Sequence, residues 1–316
     1  MSRISRATFV LGAAAIATRP SRASAQTATA PTTLRLGSSS GDDVTPVIYA
    51  QKSGLFAKYG LDIQISRMTG AAAAGLLGGS FELGKSVITT LLEAHEKELP
   101  ISVVAPAAVL NTQATYVAFL LRKDAPAESG KDFNNQIVGV GQLADMGQVA
   151  MMKWVDEHGG DAKSIKFVDV PTTAGPVAVD QSRLFASEST YPVIAAALET
   201  GRMRIAPLLN TFANGCVITA WATTSDYSSK HPEAIRAFAR AMREAAAYTN
   251  AHHAETVDMM AEFTGVAAPL IAKMPRATGG TALAAAQIQP VIDAAVKYGT
   301  LKRRFSAAEL IDPNAR

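Results

Sequence analysis

The chain has 316 residues, enough for one large or two ordinary domains and for a core that needs neither disulfides nor a structural metal. Hydrophobic residues make up 48 % and charged residues 18 %, which excludes a disordered chain. The formal charge of +3 suits an anionic partner only if the cations cluster in the folded part. No apolar run reaches the ~18 residues of a membrane span.

The cations do not cluster there. Residues 1–25 read as a removable leader: Arg3 and Arg6, an apolar stretch over 8–17, then Ala23-Ser24-Ala25 as a small–x–small cleavage site. Gly12 and the shortness of the stretch argue against a membrane anchor. The run Ser5-Arg6-Ala7-Thr8-Phe9-Val10-Leu11 is similar to a twin-arginine signal with Ala7 in place of the second arginine, which favours the general secretion route. The leader holds Arg3, Arg6, Arg19 and Arg22 and no acid, so its removal turns +3 into about −1. No basic stripe remains for nucleic acid. No cysteine follows the cleavage site, so the expected product is periplasmic, soluble and not lipid-anchored. Cys216 stands alone, which rules out an intrachain disulfide and a Cys-x-x-Cys metal site. Its flanks, Gly215 and Val217-Ile218, suggest a buried thiol beside a strand.

A short polar linker over 26–33 precedes an alternating pattern. A strand is expected at 34–37. Thr45 as cap and Pro46 in the first turn open a helix that runs to near Gly60. The alternation at 61–65 predicts a half-buried strand, and an alanine-rich helix follows over 71–77. A strand at 81–83, a helix at 89–97 closed by Pro100, and a strand at 101–105 complete a βα region with a mostly parallel sheet. A second region reads as strands at 136–140, 165–170, 184–186 and 203–209, with helices at 146–158, 177–182 and 191–200. Another strand falls at 217–223. From Pro232 the chain is expected to be almost all helix, first with Ile235, Phe238, Ala239, Met242 and Ala246 on one face, then over 252–264, 268–274 and 281–298. Extended stretches at 115–121 and 212–222 suit links between the two regions. The fold class is therefore α/β with a helical C-terminal tail.

Three blocks carry a resemblance. The first is Ala50-Gln51-Lys52-Ser53-Gly54-Leu55-Phe56-Ala57-Lys58-Tyr59-Gly60-Leu61. The second runs from Leu76-Leu77-Gly78-Gly79 through Gly84, Thr89-Thr90-Leu91-Leu92, Ala94 and Pro100. The third is His231-Pro232-Glu233, then Gln289-Pro290-Val291-Ile292-Asp293-Ala294-Ala295 and Lys297-Tyr298-Gly299. In this order they resemble the periplasmic substrate-binding proteins of the nitrate, sulfonate, taurine and thiamine-pyrimidine importers (NMT1/SsuA-like). The resemblance implies a two-lobed type II periplasmic-binding-protein fold, each lobe a mixed sheet flanked by helices. It implies lobe one as 32–114 plus 213–316 and lobe two as 115–212. It also implies a non-catalytic, monomeric receptor without cofactor or metal. Such a receptor closes on a small polar organic solute and delivers it to the membrane permease of an ABC importer with its cytoplasmic ATPase.

Ligands of open α/β sheets sit at loops feeding helix N-termini. Four such loops nominate site residues. Ser38, Ser39, Ser40, Asp42 and Asp43 follow the first strand, although serine and aspartate also suit a plain turn or cap. Gly70 and Ala71 open the second helix. Ser86 and Thr89 lie at the start of the third. Gln142 and Asp145 precede the helix at 146–158, where Asp145 is most simply its N-cap. Glu188 stands where the family often carries a glutamate; a surface turn is the plain alternative. Tyr191 and Asn111 complete the set, with Tyr49, Tyr116, Phe212 and Trp221 as other aromatic candidates, each equally suited to a core. Arg183 suits a structural ion pair with Glu188 or Asp180 as well as a ligand anion, and is the sole cation expected to oppose the four acids. That balance favours a neutral or cationic nitrogenous ligand.

Enzymatic alternatives are weaker. Gly37-Ser38-Ser39-Ser40-Gly41 fits Gly-x-Ser-x-Gly, but Asp42-Asp43-Val44 separates it from the helix that a nucleophile elbow needs at once. The histidines, His95, His158, His231, His252 and His253, carry no triad signature, and the adjacent pair faces two directions on a helix. Gly139-Val140-Gly141 is only a fragment of a dinucleotide fingerprint. A pyrimidine-synthase branch shares the implied fold, but its members are cytosolic and cysteine-rich around their site.

Overall fold

The structure, a computed structural model, describes residues 30–68, 72–114, 116–206 and 211–315. The expected leader, and Gly70 and Ala71, lie outside the described residues. Strand β1 (Thr32–Ser38) buries Leu34 and Leu36, and a 3-10 turn at Asp42–Val44 leads into α1 (Thr45–Lys52). Thr45 is the first helical residue rather than the cap: its hydroxyl donates to the Asp42 carbonyl at 2.7 Å. The single helix expected to Gly60 is broken at Gly54, whose φ of +76° no helix accommodates, and resumes as α2 (Leu55–Lys58). Then come β2 (Leu61–Arg67), α3 (Ala73–Leu77), β3 (Leu83–Val87), α4 (Ile88–Glu96) and β4 (Ile101–Val109). The strand expected at 81–83 lies four residues later at its end, which puts Ser86 in β3.

The middle of the chain forms β5 (Val117–Arg122), β6 (Ile137–Val140), α5 (Met146–Glu157), β7 (Lys166–Asp169), α6 (Gly175–Asp180), β8 (Ala186–Thr190), α7 (Val193–Glu199) and β9 (Met203–Ala206). Glu188 is therefore on a strand, not in a surface turn. The last part holds β10 (Val217–Thr224), α8 (Ser225–Lys230), α9 (Pro232–Ala251), α10 (Val257–Thr264), α11 (Ala268–Ile271), α12 (Gln289–Lys297) and α13 (Ala307–Leu310). The helix expected over 281–298 begins only at Gln289, with Pro290 in its first turn where a missing N–H costs nothing.

The ten strands among the described residues make two sheets, in the orders β2-β1-β3-β10-β4 and β7-β6-β8-β5-β9. Both are mixed rather than mostly parallel. The parallel neighbours, β1 with β2 and β3, and β6 with β7 and β8, are joined through helices. β5 and β10 instead arrive directly from the other sheet, need no crossover helix, and run antiparallel to their neighbours. The outer edge of β4 is covered by backbone bridges from Val103 to Ile311 and from Val109 to Thr278, so a strand buried along its whole length presents no open edge.

Helix α9 lays Ile235, Phe238, Ala239 and Met242 on the first sheet, and Phe238 stacks on Phe56 at 5.9 Å; Ala246 is also buried but lies against Gly279. A further cluster joins Met146, Val149 and Ala150 of α5 to Ile292 and Ala295 of α12. Helix α5 thus starts among the loops of the second sheet and leans its apolar face on a helix of the first. Cys216 is buried immediately before β10, as its flanks suggest.

Candidate functional site

The carboxyl ends of β1, β3, β6 and β8 and the amino ends of β5 and β10 converge on one cleft of about 530 Å³. The antiparallel strands make this possible: Thr219 pairs with Val87, and Val117 with Thr190, so both strands enter their sheets at the cleft rim. Of the residues nominated above, Ser39, Ser40, Asp42, Asp43, Ser86, Gln142, Asp145, Glu188 and Tyr191 line it.

Others do not. Ser38 is fully buried and its hydroxyl donates to the Ser39 carbonyl at 2.9 Å. Thr89 faces the core, and Thr90, one helical step on, faces the cleft. The Asn111 amide donates to Thr278 Oγ1 at 3.3 Å and anchors the first crossing. Ser86 does not cap α4; its Oγ accepts the Ala72 N–H at 3.3 Å. Among the aromatic candidates, Tyr116 and Tyr191 line the cleft, whereas Tyr49 stacks on Tyr248 and Phe212 and Trp221 are in the core.

The wall from the first sheet is built on two buried ion pairs. Asp43 accepts from the Lys85 ammonium and, at 2.8 Å, from the Thr219 hydroxyl. Asp42 accepts from Arg276 Nε at 2.8 Å and from the Ala277 N–H at 2.7 Å. The same guanidinium donates to Thr45 Oγ1 and Thr256 Oγ1, both at 3.1 Å, which ties the segment after α11 to the cleft floor. Each of these four charged side chains is at most 5 % exposed. The acids are therefore already matched in place, one cation each. This corrects the reading in which Arg183 alone opposes them. Arg183 is exposed and makes no ion pair among the described residues, and Asp180 pairs with Arg202 at 3.0 Å.

The wall from the second sheet differs. Asp145 caps α5, accepting the Gln148 N–H at 2.8 Å on Oδ1 and the Gln142 N–H at 3.2 Å on Oδ2. Glu188 accepts the Gly141 N–H at 3.1 Å and is hydrogen-bonded to Asp145. Gly147 lets the carboxyl lie against the first turn of α5: a Cβ there would stand 2.6 Å from Glu188 Oε1. Burial, and then the neighbouring Asp145 charge, holds the Glu188 carboxyl well above the usual carboxylate range; burial also raises Asp145. Two carboxyls in contact resist double ionisation, so the pair gives up its last proton only above the ordinary carboxylate range. Tyr116 is nearby; burial first, then the acids around it, pushes its hydroxyl well up, so it stays neutral.

The cleft therefore offers hydroxyls from Ser39, Ser40, Ser86, Thr90, Thr172 and Thr173, two aromatic faces, and one carboxyl pair without a cation. Lys85 and the Thr172-Thr173 turn were not foreseen. A lysine inside the short stretch Leu83-Gly84-Lys85-Ser86-Val87, which leads straight into a helix, is a local signal for the first. The Pro171-Thr172-Thr173-Ala174-Gly175 turn between strand and helix is one for the second. Arg276 lies 234 residues from Asp42, and no local pattern links them.

Among the described residues no group of three or more His, Cys, Asp or Glu side chains is arranged to hold a metal ion, and no helix is long and apolar enough to cross a membrane. The periplasmic aliphatic sulphonate-binding protein SsuA from Escherichia coli is similar in fold, with a TM-score of 0.70 and 18 % identity over 89 % of this chain and 92 % of that one. The alkanesulfonate-binding protein SsuA from Xanthomonas axonopodis pv. citri, bound to MOPS, gives 0.71 and 16 % over 90 % and 99 %. The periplasmic nitrate-binding protein NrtA from Synechocystis PCC 6803 gives 0.70 and 14 % over 90 % and 86 %. The fold is that of the two-lobed periplasmic binding proteins. No curated protein matches the sequence. The sequence profile of the NMT1/THI5 like family matches residues 42–256, which include the cleft lining of both sheets from Asp42 onward, and the chain belongs to that family.

Proposed function

We propose that the chain is the extracytoplasmic solute-binding component of an ABC importer, exported by cleavage after Ala25, which captures a small polar organic solute without transforming it. The carrying observation is the cleft itself. It is fed by helix-opening loops of both sheets, and among the described strands the chain changes sheet only from β4 to β5 and from β9 to β10. In this reading 32–114 plus 213–316 is one lobe and 115–212 the other. Closure swings the two loop sets together and removes the solute from water. The crossings are tied to each other where Thr112 N–H and Oγ1 both donate to Asn214 Oδ1, at 2.7 and 2.8 Å, which gives the motion a defined pivot. The closed form would then be what a membrane permease recognises. The relatives' printed names as binding proteins support a receptor over the synthase branch.

The test is a melting-shift screen of the purified mature chain against small sulfonates, nitrate, carboxylates, pyrimidines and amines. A true solute at ~100 times its Kd adds about 2.7 kcal/mol of stability. Mass spectrometry must then recover it unchanged, and its conversion into a product would overturn the receptor reading.

A further inference from the structure

The two acidic walls of the cleft are neutralised by different means, and this bears on what the cleft accepts. Asp42 and Asp43 each hold a cation of the protein's own, buried and fixed by further hydrogen bonds. An incoming ligand gains little from either, because reaching the acid means dislodging Arg276 or Lys85 from a buried pair. Asp145 and Glu188 hold no cation among the described residues. Their backbone donors, the N–H groups of Gly141, Gln142, Gly147 and Gln148, and the contact between the two carboxyls still leave acceptor lone pairs on the pair. Glu188 keeps part of its surface open, and both residues line the cleft.

Resting on the receptor reading above, we infer that the solute is a small organic cation, an ammonium or amidinium, seated on the Asp145–Glu188 carboxyl pair. A cation there supplies what Arg276 and Lys85 supply opposite, and the charge-assisted hydrogen bonds it donates replace the single shared proton. That proton leaves to solvent as the cation binds. An anion such as nitrate or a sulfonate meets the reverse situation. The pair is the cleft's one acidic element without a cation, and both cations near the floor are already committed to carboxylates.

The titratable and charged groups around the pair give this a pH sign. Tyr116, from the first crossing, and Tyr191, directly after β8, line the same cleft; burial raises both hydroxyls, so they stay neutral. Across the cleft Asp42 and Asp43 stand with Arg276 and Lys85. The remaining neighbours are backbone amides and hydroxyls. Affinity for a permanent cation thus rises with pH through the titration of the pair, with proton release. An anion would bind with proton uptake and lose affinity as the pH rises.

The experiment titrates the full mature chain calorimetrically with benzamidine and ethanolamine as cationic probes and with ethanesulfonate and nitrate as anionic ones. Each is run in two buffers of different ionisation heat. The expected result is binding of a cationic probe with proton release, weakened roughly 10- to 100-fold by Glu188→Gln. Asp145→Asn, which preserves the cap, should weaken it similarly and serves if the first variant folds poorly. Tighter binding of an anion, unaffected or strengthened by Glu188→Gln, overturns the inference while leaving the receptor reading intact. Binding of neither probe class also overturns it. Chemical conversion of a bound probe overturns the receptor reading instead.

Discussion

The two walls of the cleft carry the same number of acids and treat them in opposite ways. On the first wall the charges of Asp42 and Asp43 are balanced by Arg276 and Lys85, and every partner is fixed by the fold. On the second, Asp145 and Glu188 are balanced by a proton, a partner that a ligand can displace. The difference teaches where rigidity and responsiveness lie. Breaking the first wall should cost stability, because a buried charge loses its only counterion. Replacing an acid of the second by its amide should cost little stability and change binding.

The largest expected effect follows from removing one member of a fixed pair. Arg276→Met leaves Asp42 buried with only the Ala277 amide and the Thr45 hydroxyl, and should destabilise the chain by about 3–5 kcal/mol. Urea unfolding measures this, and a loss under ~1 kcal/mol would mean that Asp42 finds solvent or a proton instead. Next comes Gly147→Ala. Its methyl group would press on Glu188 Oε1 from 2.6 Å, so the carboxyl must move, at a cost of about 1–3 kcal/mol. A neutral outcome would show that Glu188 does not rest against α5.

The pH dependence separates the walls further. An acid pair whose proton is held more tightly in the fold than in the unfolded chain contributes stability that is present at low pH. That contribution is lost as the pH rises from the ordinary carboxylate range towards the raised folded value. Denaturation midpoints should therefore show a downward component of up to about 1.4 kcal/mol per pH unit across that window. Glu188→Gln, whose amide can donate to Asp145 as the proton does, should flatten that component. Stability at acid pH should change by less than about 1 kcal/mol, so the variant should gain on the unaltered chain as the pH rises. An unchanged slope in the variant would place the titrating group elsewhere. The smallest effect belongs to a contact outside both walls. Lys297 pairs with Asp156 at 2.9 Å, joining α12 to the end of α5, but it is well exposed, and Lys297→Met should cost under about 1 kcal/mol.

What the sequence disclosed about these walls divides along the same line. Asp145 and Glu188 belong to short-range patterns: an aspartate three residues before Gln148 at a helix start, and a glutamate in a family position. The structure brings both to the cleft. The first wall depends on contacts between distant parts of the chain. Asp43 and Lys85 are 42 positions apart and Asp42 and Arg276 are 234, so the acids were visible and their cations were not. The same limit governs the fold. The alternation of strands and helices was legible, because period-2 and period-3.6 patterns are local. The antiparallel placement of β5 and β10 was not, because it follows from the chain changing sheets. At Gly54 and Gln289 the helical pattern continued where the backbone did not, since a left-handed glycine or a proline overrides the spacing of apolar residues.

The contrast between the walls is tested most directly by following the carboxyl carbons of the glutamates by NMR through an acid–base titration of the ligand-free chain. One glutamate should titrate well above the ordinary range of roughly 4 to 4.5, and its signal should vanish in Glu188→Gln. If every glutamate titrates within that range, Asp145 and Glu188 do not share a proton and the second wall is no different from the first.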